Sequence, residues 1–302
     1  MLFASCTSST VVSPGAGGGI HASELLHDAS GLPLVYVSNP RGSNVTVYSY
    51  RDAKHVRLVQ TITGMSTPYG SCVDRKQNVY VADGVTDDIV EFAHGGTTPI
   101  GTLADTHGMP FACAINPANG DLAVVNNWGP SGSDGNVLVY SKAKGDPTSY
   151  SDPNLEIPEQ AAYDDDGNLF VDGSKGPSRP FVLFELQKGK KIFSYLKVRG
   201  AQIREPSGLQ WCAPHMLLAD SDYQSESTTL LYVLKVAASR TQVVRKVALA
   251  SSGNVEQFWK QGQNVIAPDG DSVPIFSYRT GNREGEITKG VFAPVAAVVS
   301  AP

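Results

Sequence analysis

The stretch NVYVADGVTDDIVEF, from Asn78 to Phe92, consists of two apolar runs joined by a polar turn. Alternation of apolar and polar residues within such runs is typical of β-strands with two different faces. Similar pairs recur at a spacing of roughly 43 to 48 residues, the length of one four-stranded propeller blade. The first runs are VYVSN (35–39), VYVAD (79–83), LAVVN (122–126), LFVD (169–172), LLAD (217–220) and VIAPD (265–269). The second runs are VTVY (45–48), IVEF (89–92), VLVY (137–140), VLFEL (182–186), LLYVL (230–234) and PIFSY (274–278).

A third strand-like element precedes most of these pairs and begins with proline. Its copies are PYGSCVD (68–74), PFACAIN (110–116), PEQAAYD (158–164) and PSGLQWC (206–212), with VEQFWKQ (255–261) in the same place without the proline. The first pair has no such element upstream, but PVAAVVS (294–300) at the C-terminus matches it. Pairing of that segment with residues 34–39 would remove two exposed edges. The sequence therefore predicts an all-β, six-bladed β-propeller of four-stranded antiparallel blades, closed by the C-terminal strand in the first blade.

Composition supports this prediction and excludes several functions. The 302 residues include 30 glycines and 19 prolines, which fits an all-β protein with many tight turns. The formal charge is -5 without a basic stripe, so we expect no nucleic-acid partner. No apolar run approaches the roughly 20 residues of a membrane-spanning helix. The four widely spaced cysteines argue against a zinc knuckle or redox pair, and Cys72 and Cys113 are interpreted as small buried apolar residues.

The first 32 residues are interpreted as a flexible tether or the remnant of an export signal, before a propeller domain over 33–302. LFASC, residues 2–6, resembles the end of a bacterial lipoprotein signal, with Cys6 as the lipid-anchored residue. A plain flexible tail is the alternative. The hypothesis is an exported, monomeric protein that is periplasmic, on the cell surface as a lipoprotein, or secreted.

The motifs P-x-G-x-x-V-D, N-V-Y-V-A-D and I-V-E-F resemble the NHL-repeat propellers, within the group of gluconolactonase-like and strictosidine-synthase-like six-bladed propellers. The strings YVSNP, EFAHGGTTPI, DDDGNLFVDG and EQFWKQG also resemble uncharacterised exported bacterial propeller proteins. The resemblance spans about residues 33–300. It implies a fold but no single chemistry, because propellers host hydrolases, lyases and binding modules alike.

Equivalent positions of the six third elements should form rings around the central channel. One step after the proline the ring reads Tyr69, Phe111, Glu159, Ser207, Glu256 and Val295, and the next step reads Gly70, Ala112, Gln160, Gly208, Gln257 and Ala296. Polar and aromatic groups that converge at a channel mouth are typical of ligand sites. The predicted ligand-binding residues are Tyr69, Phe111, Ser207, Gln160 and Gln257, together with Trp128 and Tyr223 on two long loops. The two loop aromatics could instead pack on their own blades.

Glu159 and Glu256 are the candidate catalytic carboxylates. If they are close, they could share a proton or jointly bind a cation; alternatively both are solvated at the mouth. The resemblance to calcium-dependent lactonases implies a Ca²⁺ site, and Glu159, Glu256, Asn126 and Asn127 are the oxygen ligands that would suit it. The ligand strings E-G-P and P-N-G-x-x-x-S-P-D of those lactonases are absent here. His107 and His215, near strand ends, are weaker candidates for a general base.

Two functions are compatible with these residues. The first is a binding module for a small molecule, glycan or protein at the channel mouth. The alternative is a hydrolase of lactones or esters, in which Ca²⁺ polarises the carbonyl group. Ca²⁺ is the one cofactor that the sequence suggests. The Asp or Asn at the end of each first run is interpreted as a structural turn residue rather than a metal ligand.

Overall fold

The computed structural model describes residues 31–176, 180–221, 228–237 and 240–302. Within these ranges the chain forms 25 β-strands and three short 3-10 helices. The strands are β1 Leu34–Asn39, β2 Asn44–Tyr50, β3 Val56–Ile62, β4 Pro68–Val73, β5 Val79–Asp83, β6 Asp88–Phe92, β7 Pro99–Ala104, β8 Met109–Ile115, β9 Leu122–Trp128, β10 Asp134–Tyr140, β11 Thr148–Tyr150, β12 Ile157–Tyr163, β13 Leu169–Ser174, β14 Phe181–Leu186, β15 Ser194–Tyr195, β16 Lys197–Arg199, β17 Pro206–Cys212, β18 His215–Ser221, β19 Thr228–Ala237, β20 Arg240–Ala250, β21 Trp259–Gln261, β22 Asn264–Ile266, β23 Val273–Ser277, β24 Arg283–Ile287 and β25 Ala296–Ser300. The 3-10 helices are Pro40–Gly42, Pro130–Gly132 and Ser141–Ala143.

The strands form six antiparallel blades arranged in a ring, which confirms the predicted fold class. From the channel outward, the blades are β25-β1-β2-β3, β4-β5-β6-β7, β8-β9-β10-β11, β12-β13-β14-β15, β17-β18-β19-β20 and β21-β22-β23-β24. The short β16 adds a fifth, parallel strand to the outer edge of the fifth blade. We number the blades one to six in this order.

The C-terminal strand closes the ring as predicted. Strand β25 pairs antiparallel with β1, with Leu34 opposite Ser300 and Ser38 opposite Ala296. The first blade is thus built from both ends of the described chain. This pairing covers the edge of β1 that would otherwise be exposed.

The hydrophobic core lies between neighbouring blades. All residues of β1 and β5 are buried, because these strands carry apolar side chains on both faces. Tyr36 of β1 and Val81 of β5, for example, belong to one apolar cluster that joins the first and second blades. The core therefore fixes the relative positions of the blades, and with them the positions of the side chains around the channel.

The recurrent acidic residue at the end of the second strand of a blade anchors the segment that leads into the innermost strand. Asp83 accepts hydrogen bonds from the backbone N–H groups of Ser66 and Thr67, both at 2.6 Å. Asp220 accepts equivalent bonds from Arg204 and Glu205, at 3.0 and 2.9 Å. These bonds reach 15 to 17 residues back along the chain, whereas the expected Asx-turn would bond the backbone just after the strand. Asp83 and Asp220 thus have structural partners other than the expected ones. Asp269 does form the expected turn, since it accepts from the backbone N–H groups of Asp271 and Ser272 at 3.3 and 2.8 Å.

Asp172 departs from this arrangement. In the fourth blade Gly173 lies opposite Pro158, as Asp83 lies opposite Pro68 in the second blade. Asp172 is therefore one residue out of register with Asp83, and its side chain points to the other face of the strand. It is fully buried and accepts a 2.9 Å hydrogen bond from the backbone N–H of Gln160.

Cys72 and Cys113 are buried, as predicted, but they are joined in a disulfide bond that the sequence interpretation did not include. The two cysteines lie on β4 and β8, the innermost strands of the second and third blades. The physical reason is the repeat itself: nearly equivalent positions on adjacent inner strands come close, here to a Cα–Cα distance of 5.6 Å. The bond covalently links two blades beside the channel.

In the parts of the chain that the structure describes, no helix is long and apolar enough to cross a membrane. Cys6 and almost all of the predicted tether lie outside the described residues. The lipid anchor and the division of the chain at residues 32 and 33 therefore remain predictions.

Candidate functional site

A cavity of about 300 Å³ lies at the end of the channel where the innermost strands begin. We call this end the upper mouth. Four consecutive blades, the third to the sixth, supply its lining. The lining residues are Met109, Phe111, Asn127, Trp128, Ile157, Glu159, Gln160, Glu205, Pro206, Ser207, Ser221, Asn254, Val255 and Glu256.

The structure brings the predicted first ring together at this mouth. Phe111, Glu159, Ser207 and Glu256 line the large cavity, and Tyr69 and Val295 line a narrow neck beneath it. The rings of Tyr69 and Phe111 are in contact, with their centroids 5.3 Å apart. The neck holds about 10 Å³, so the cup narrows sharply toward the middle of the channel.

Two glutamines close the floor of this cup. The side-chain amide of Gln257 crosses to the second blade, where it accepts from the backbone N–H of Ser71 at 3.0 Å and donates to its carbonyl oxygen at 2.8 Å. The amide of Gln160 donates to the carbonyl oxygen of Glu256 at 3.0 Å. Small residues surround them as expected, since a Cβ atom on Gly70 would lie 2.7 Å from the Phe111 carbonyl oxygen. Both predicted ligand-binding glutamines thus hold alternate blades together across the axis.

The carboxylates of the upper mouth have different environments. Burial raises the pKa of Glu256. Burial also raises the pKa of Asp172 well above its usual range, and the charge of nearby Glu159 adds to that effect. The charge of Glu159 therefore acts on Asp172, a residue that was not among the predicted site residues. Proton sharing between Glu159 and Glu256 stays a prediction.

Asn127 presents an unsatisfied acceptor to the cavity. Its side chain is 9% exposed, and its Oδ1 atom is buried without a hydrogen-bond partner among the described residues. A buried acceptor in this state costs about 1–3 kcal/mol unless a donor reaches it. Asn126 points away from the cavity lining and donates to the side chain of Asn136 at 3.1 Å.

Three of the four predicted metal ligands, Glu159, Glu256 and Asn127, line the same cavity. Among the described residues, no group of three or more His, Cys, Asp or Glu side chains has the spacing of a metal site. These three predicted ligands supply at most five side-chain oxygen atoms, fewer than the six to eight that Ca²⁺ usually takes. Ca²⁺ binding stays a prediction.

Of the remaining predicted site residues, one lines the upper mouth, two do not and one lies outside the described residues. Trp128 lines the cavity and is 41% exposed, so one side of its ring is open to a ligand. His107 and His215 line neither this cavity nor its neck, and His215 pairs with Cys212 at the opposite end of the fifth blade. Tyr223 lies outside the described residues.

Sequence reasoning missed Glu205 and Asn254, which complete the lining of the upper mouth. Glu205 and Asn254 immediately precede Pro206 and Val255, the first residues of two of the aligned inner-strand elements. Extending that alignment one residue toward the N-terminus would have found them.

Comparison with known proteins supports the fold alone. No family model and no curated protein matches the chain. A solved structure titled "Crystal structure of Nidogen/Laminin Complex" is similar, with 15% sequence identity and a TM-score of 0.69 over 89% of this chain and 98% of that chain. The comparisons do not confirm the resemblance to NHL-repeat or gluconolactonase-like propellers. At the level that the architecture and this comparison show, the chain is a six-bladed β-propeller.

Proposed function

We propose that the protein is a binding module that takes a small, positively charged ligand at the upper mouth. The observation that carries the proposal is the 300 Å³ cup, whose described lining includes three glutamates and no lysine, arginine or histidine. A cavity of this size matches the lower end of ordinary ligand pockets, which span roughly 300–1,000 Å³. Since four blades supply the lining, the cup is held by the packed core of the ring rather than by one loop.

The charge of the lining selects the ligand. Glu159, Glu205 and Glu256 supply acceptors for a cationic donor, and the Oδ1 atom of Asn127 is a further acceptor that lacks a partner among the described residues. The exposed ring of Trp128 and the side chain of Phe111 offer faces that attract a cation or pack against a sugar ring. A protonated primary amine carries three N–H donors for these acceptors, and an amino sugar adds a ring that can pack against the aromatic side chains.

Aromatic walls and a volume far greater than one ion favour an organic cation over bare Ca²⁺. The hydrolase hypothesis also needs a cation held by several ligands beside a base, and no additional observation favours it. A stoichiometric calcium site would revive that alternative, so calcium belongs in the test.

We also infer that the protein works in an oxidising compartment. The disulfide between Cys72 and Cys113 supports this inference, because disulfides persist in secreted and periplasmic proteins and are rare in the cytosol. The nidogen title names a protein complex, and at 15% identity it supports no particular partner for this chain.

The test is calorimetric titration with glucosamine, glucose and glucuronic acid, and separately with calcium chloride. The three sugars have nearly the same shape and are positively charged, neutral and negatively charged, respectively. We expect glucosamine to bind more tightly than the other two sugars. Glu256→Gln should weaken its binding at least tenfold, while Glu286→Gln, on the outer strand β24, should leave it unchanged. Binding of all three sugars with equal affinity, or binding insensitive to Glu256→Gln, would contradict the charge argument. Tight calcium binding that Glu256→Gln abolishes would support the hydrolase alternative instead.

A further inference from the structure

A second cavity of about 140 Å³ lies at the opposite end of the channel, where the innermost strands end. We call this end the lower mouth. Its wall includes both cysteines of the disulfide and the side chains of Tyr163, Trp211, Phe258 and Trp259. None of these residues belongs to the upper mouth.

The two cavities are separate. The amide of Gln257 and the backbone of Ser71 are hydrogen-bonded to each other between them, and the space that the described residues leave at this level is a neck of about 10 Å³. A ligand in one cavity therefore makes no direct contact with a ligand in the other.

The wall of the lower cavity is aromatic and rigid. Trp211 stacks on Phe170, with the ring planes within 2° of parallel and the centroids 5.9 Å apart. Phe258 and Tyr163 are 2% and 8% exposed, so their positions are set by the packing of the blades. Aromatic side chains fixed in this way favour another flat aromatic ring, through stacked and edge-to-face contacts.

The hydroxyl group of Ser71 belongs to the lining and is buried. Its oxygen makes no hydrogen bond in the described part of the chain, and the residue is only 1% exposed. The two glutamines of the same lining already have hydrogen-bond partners. Gln257 bonds to the Ser71 backbone, and Gln210 accepts from the backbone N–H of Lys260 at 2.7 Å. The Ser71 hydroxyl is thus a hydrogen-bonding group that a ligand can satisfy.

The volume limits the ligand to a single ring. An engineered apolar cavity of about 150 Å³ in another protein holds benzene. The charged residues of the lining are of both signs, Asp74, Arg75 and Asp165, which gives no preference for a strongly charged molecule. The carboxylate of Asp74 is also engaged with the backbone N–H groups of Lys76 and Asn78 at 2.8 Å.

We propose that the lower mouth is a second binding site, which takes a neutral monocyclic aromatic ligand with one hydroxyl group, a phenol, whose hydroxyl bonds to Ser71. This site is independent of the function proposed for the upper mouth. Its ligand packs between the aromatic side chains beside the disulfide. Because a phenol has few heavy atoms, we expect dissociation constants between high micromolar and millimolar.

Tryptophan fluorescence makes the site directly observable. The chain has three tryptophans, of which Trp211 and Trp259 line the lower cavity and Trp128 lines the upper one. In the Trp128→Phe variant, all tryptophan emission therefore comes from the lower mouth. Phenol, benzene and cyclohexanol are titrated against this variant, with excitation beyond the absorption band of phenol, and calorimetry on the unaltered protein checks each affinity.

We expect saturable quenching by phenol, weaker binding of benzene, and weaker binding still of cyclohexanol. Ser71→Ala should reduce the phenol affinity about fivefold, the equivalent of one neutral hydrogen bond, and should leave the benzene affinity unchanged. Ser194→Ala, on the exposed outer strand β15, is the matched control and should change neither. Ala161→Leu should fill the cavity and abolish binding of both aromatic molecules.

The proposal is overturned if phenol produces no saturable change, or if cyclohexanol binds as tightly as phenol. It is also overturned if Ser71→Ala weakens benzene and phenol equally, since the hydroxyl would then act only through packing. Ser71→Ala alone decides the outcome if Ala161→Leu fails to fold. None of these results depends on whether an amine binds at the upper mouth.

Discussion

Replacement of the disulfide by Cys72→Ser and Cys113→Ser should destabilise the propeller by a calculable amount. The two cysteines are 41 residues apart in sequence, so the bond closes a loop of nearly one blade. In the chain-entropy description, closing such a loop lowers the conformational entropy of the unfolded chain, which stabilises the folded state by about 4 kcal/mol at room temperature. Both cysteines border the lower cavity and serine is close to cysteine in size, so the loss in the native state should be small by comparison. We therefore expect the double variant to lose about 4 kcal/mol of unfolding free energy.

The assay is urea denaturation followed by circular dichroism, with the two single variants as internal controls. Each single variant also breaks the cross-link, so each should lose about as much stability as the double variant. Strong non-additivity is therefore the signature of the bond, in contrast to two independent buried residues. A double-variant loss below about 1 kcal/mol, or losses that simply add, would refute the chain-entropy reasoning.

Three further predictions concern the architecture of the ring. Asp172→Asn should stabilise the protein at pH 8 and have no effect at pH 4. The pKa of Asp172 is raised in the folded state, so folding becomes less favourable as the pH rises from the usual range of an aspartate through that pKa. Melting temperatures across this pH range measure the effect, and a gain in stability at low pH would contradict it. Asp83→Ala should lower the free energy of unfolding by about 3 kcal/mol, since two backbone N–H groups lose a charged acceptor. Denaturant midpoints measure this loss, and a change near zero would show that water replaces the carboxylate. Deletion of residues 294–302 should leave an open edge on β1 and produce dimers or aggregates in size-exclusion chromatography, whereas a stable monomer would contradict the role of β25 in closure.

The architecture could be predicted from the sequence because each blade repeats the same three strand signals. Even the closing strand was recognisable, since PVAAVVS is a third element without a pair after it. The prediction of a strand over residues 255–261 was too long, because only Trp259–Gln261 pair within their blade. The backbone N–H of Gln257 instead donates to the carbonyl oxygen of Val295 in the first blade.

The first ring of the channel followed from the same alignment, and the structure places all its members at the upper mouth or its neck. The coupling of Glu159 to Asp172 could not be predicted, because the shift of Asp172 by one residue depends on the register of β12 and β13. The disulfide was equally hidden, since four cysteines allow three pairings and their spacing does not select one.

The lower mouth was missed although the alignment contained it. Five residues after the proline, the inner strands read Val73, Ile115, Tyr163 and Trp211, all of which line the lower cavity. These large apolar residues contrast with the small ones of the middle layer. The distinction between two cups and one continuous channel, however, depends on the hydrogen bonds of Gln257, which no sequence pattern shows.

Cation binding at the upper mouth is tested most directly by a ligand-observed NMR screen of amines, each paired with the alcohol of the same shape, against the unaltered protein and Glu256→Gln. We expect amines to give saturation-transfer signals more often than their alcohols, and these signals should weaken in the variant. The amine signals should also fade as the pH falls through the raised pKa of Glu256, because the protonated carboxyl group no longer attracts a cation. Equal signals from amines and alcohols, or amine signals that persist unchanged in Glu256→Gln, would contradict a cation-binding upper mouth.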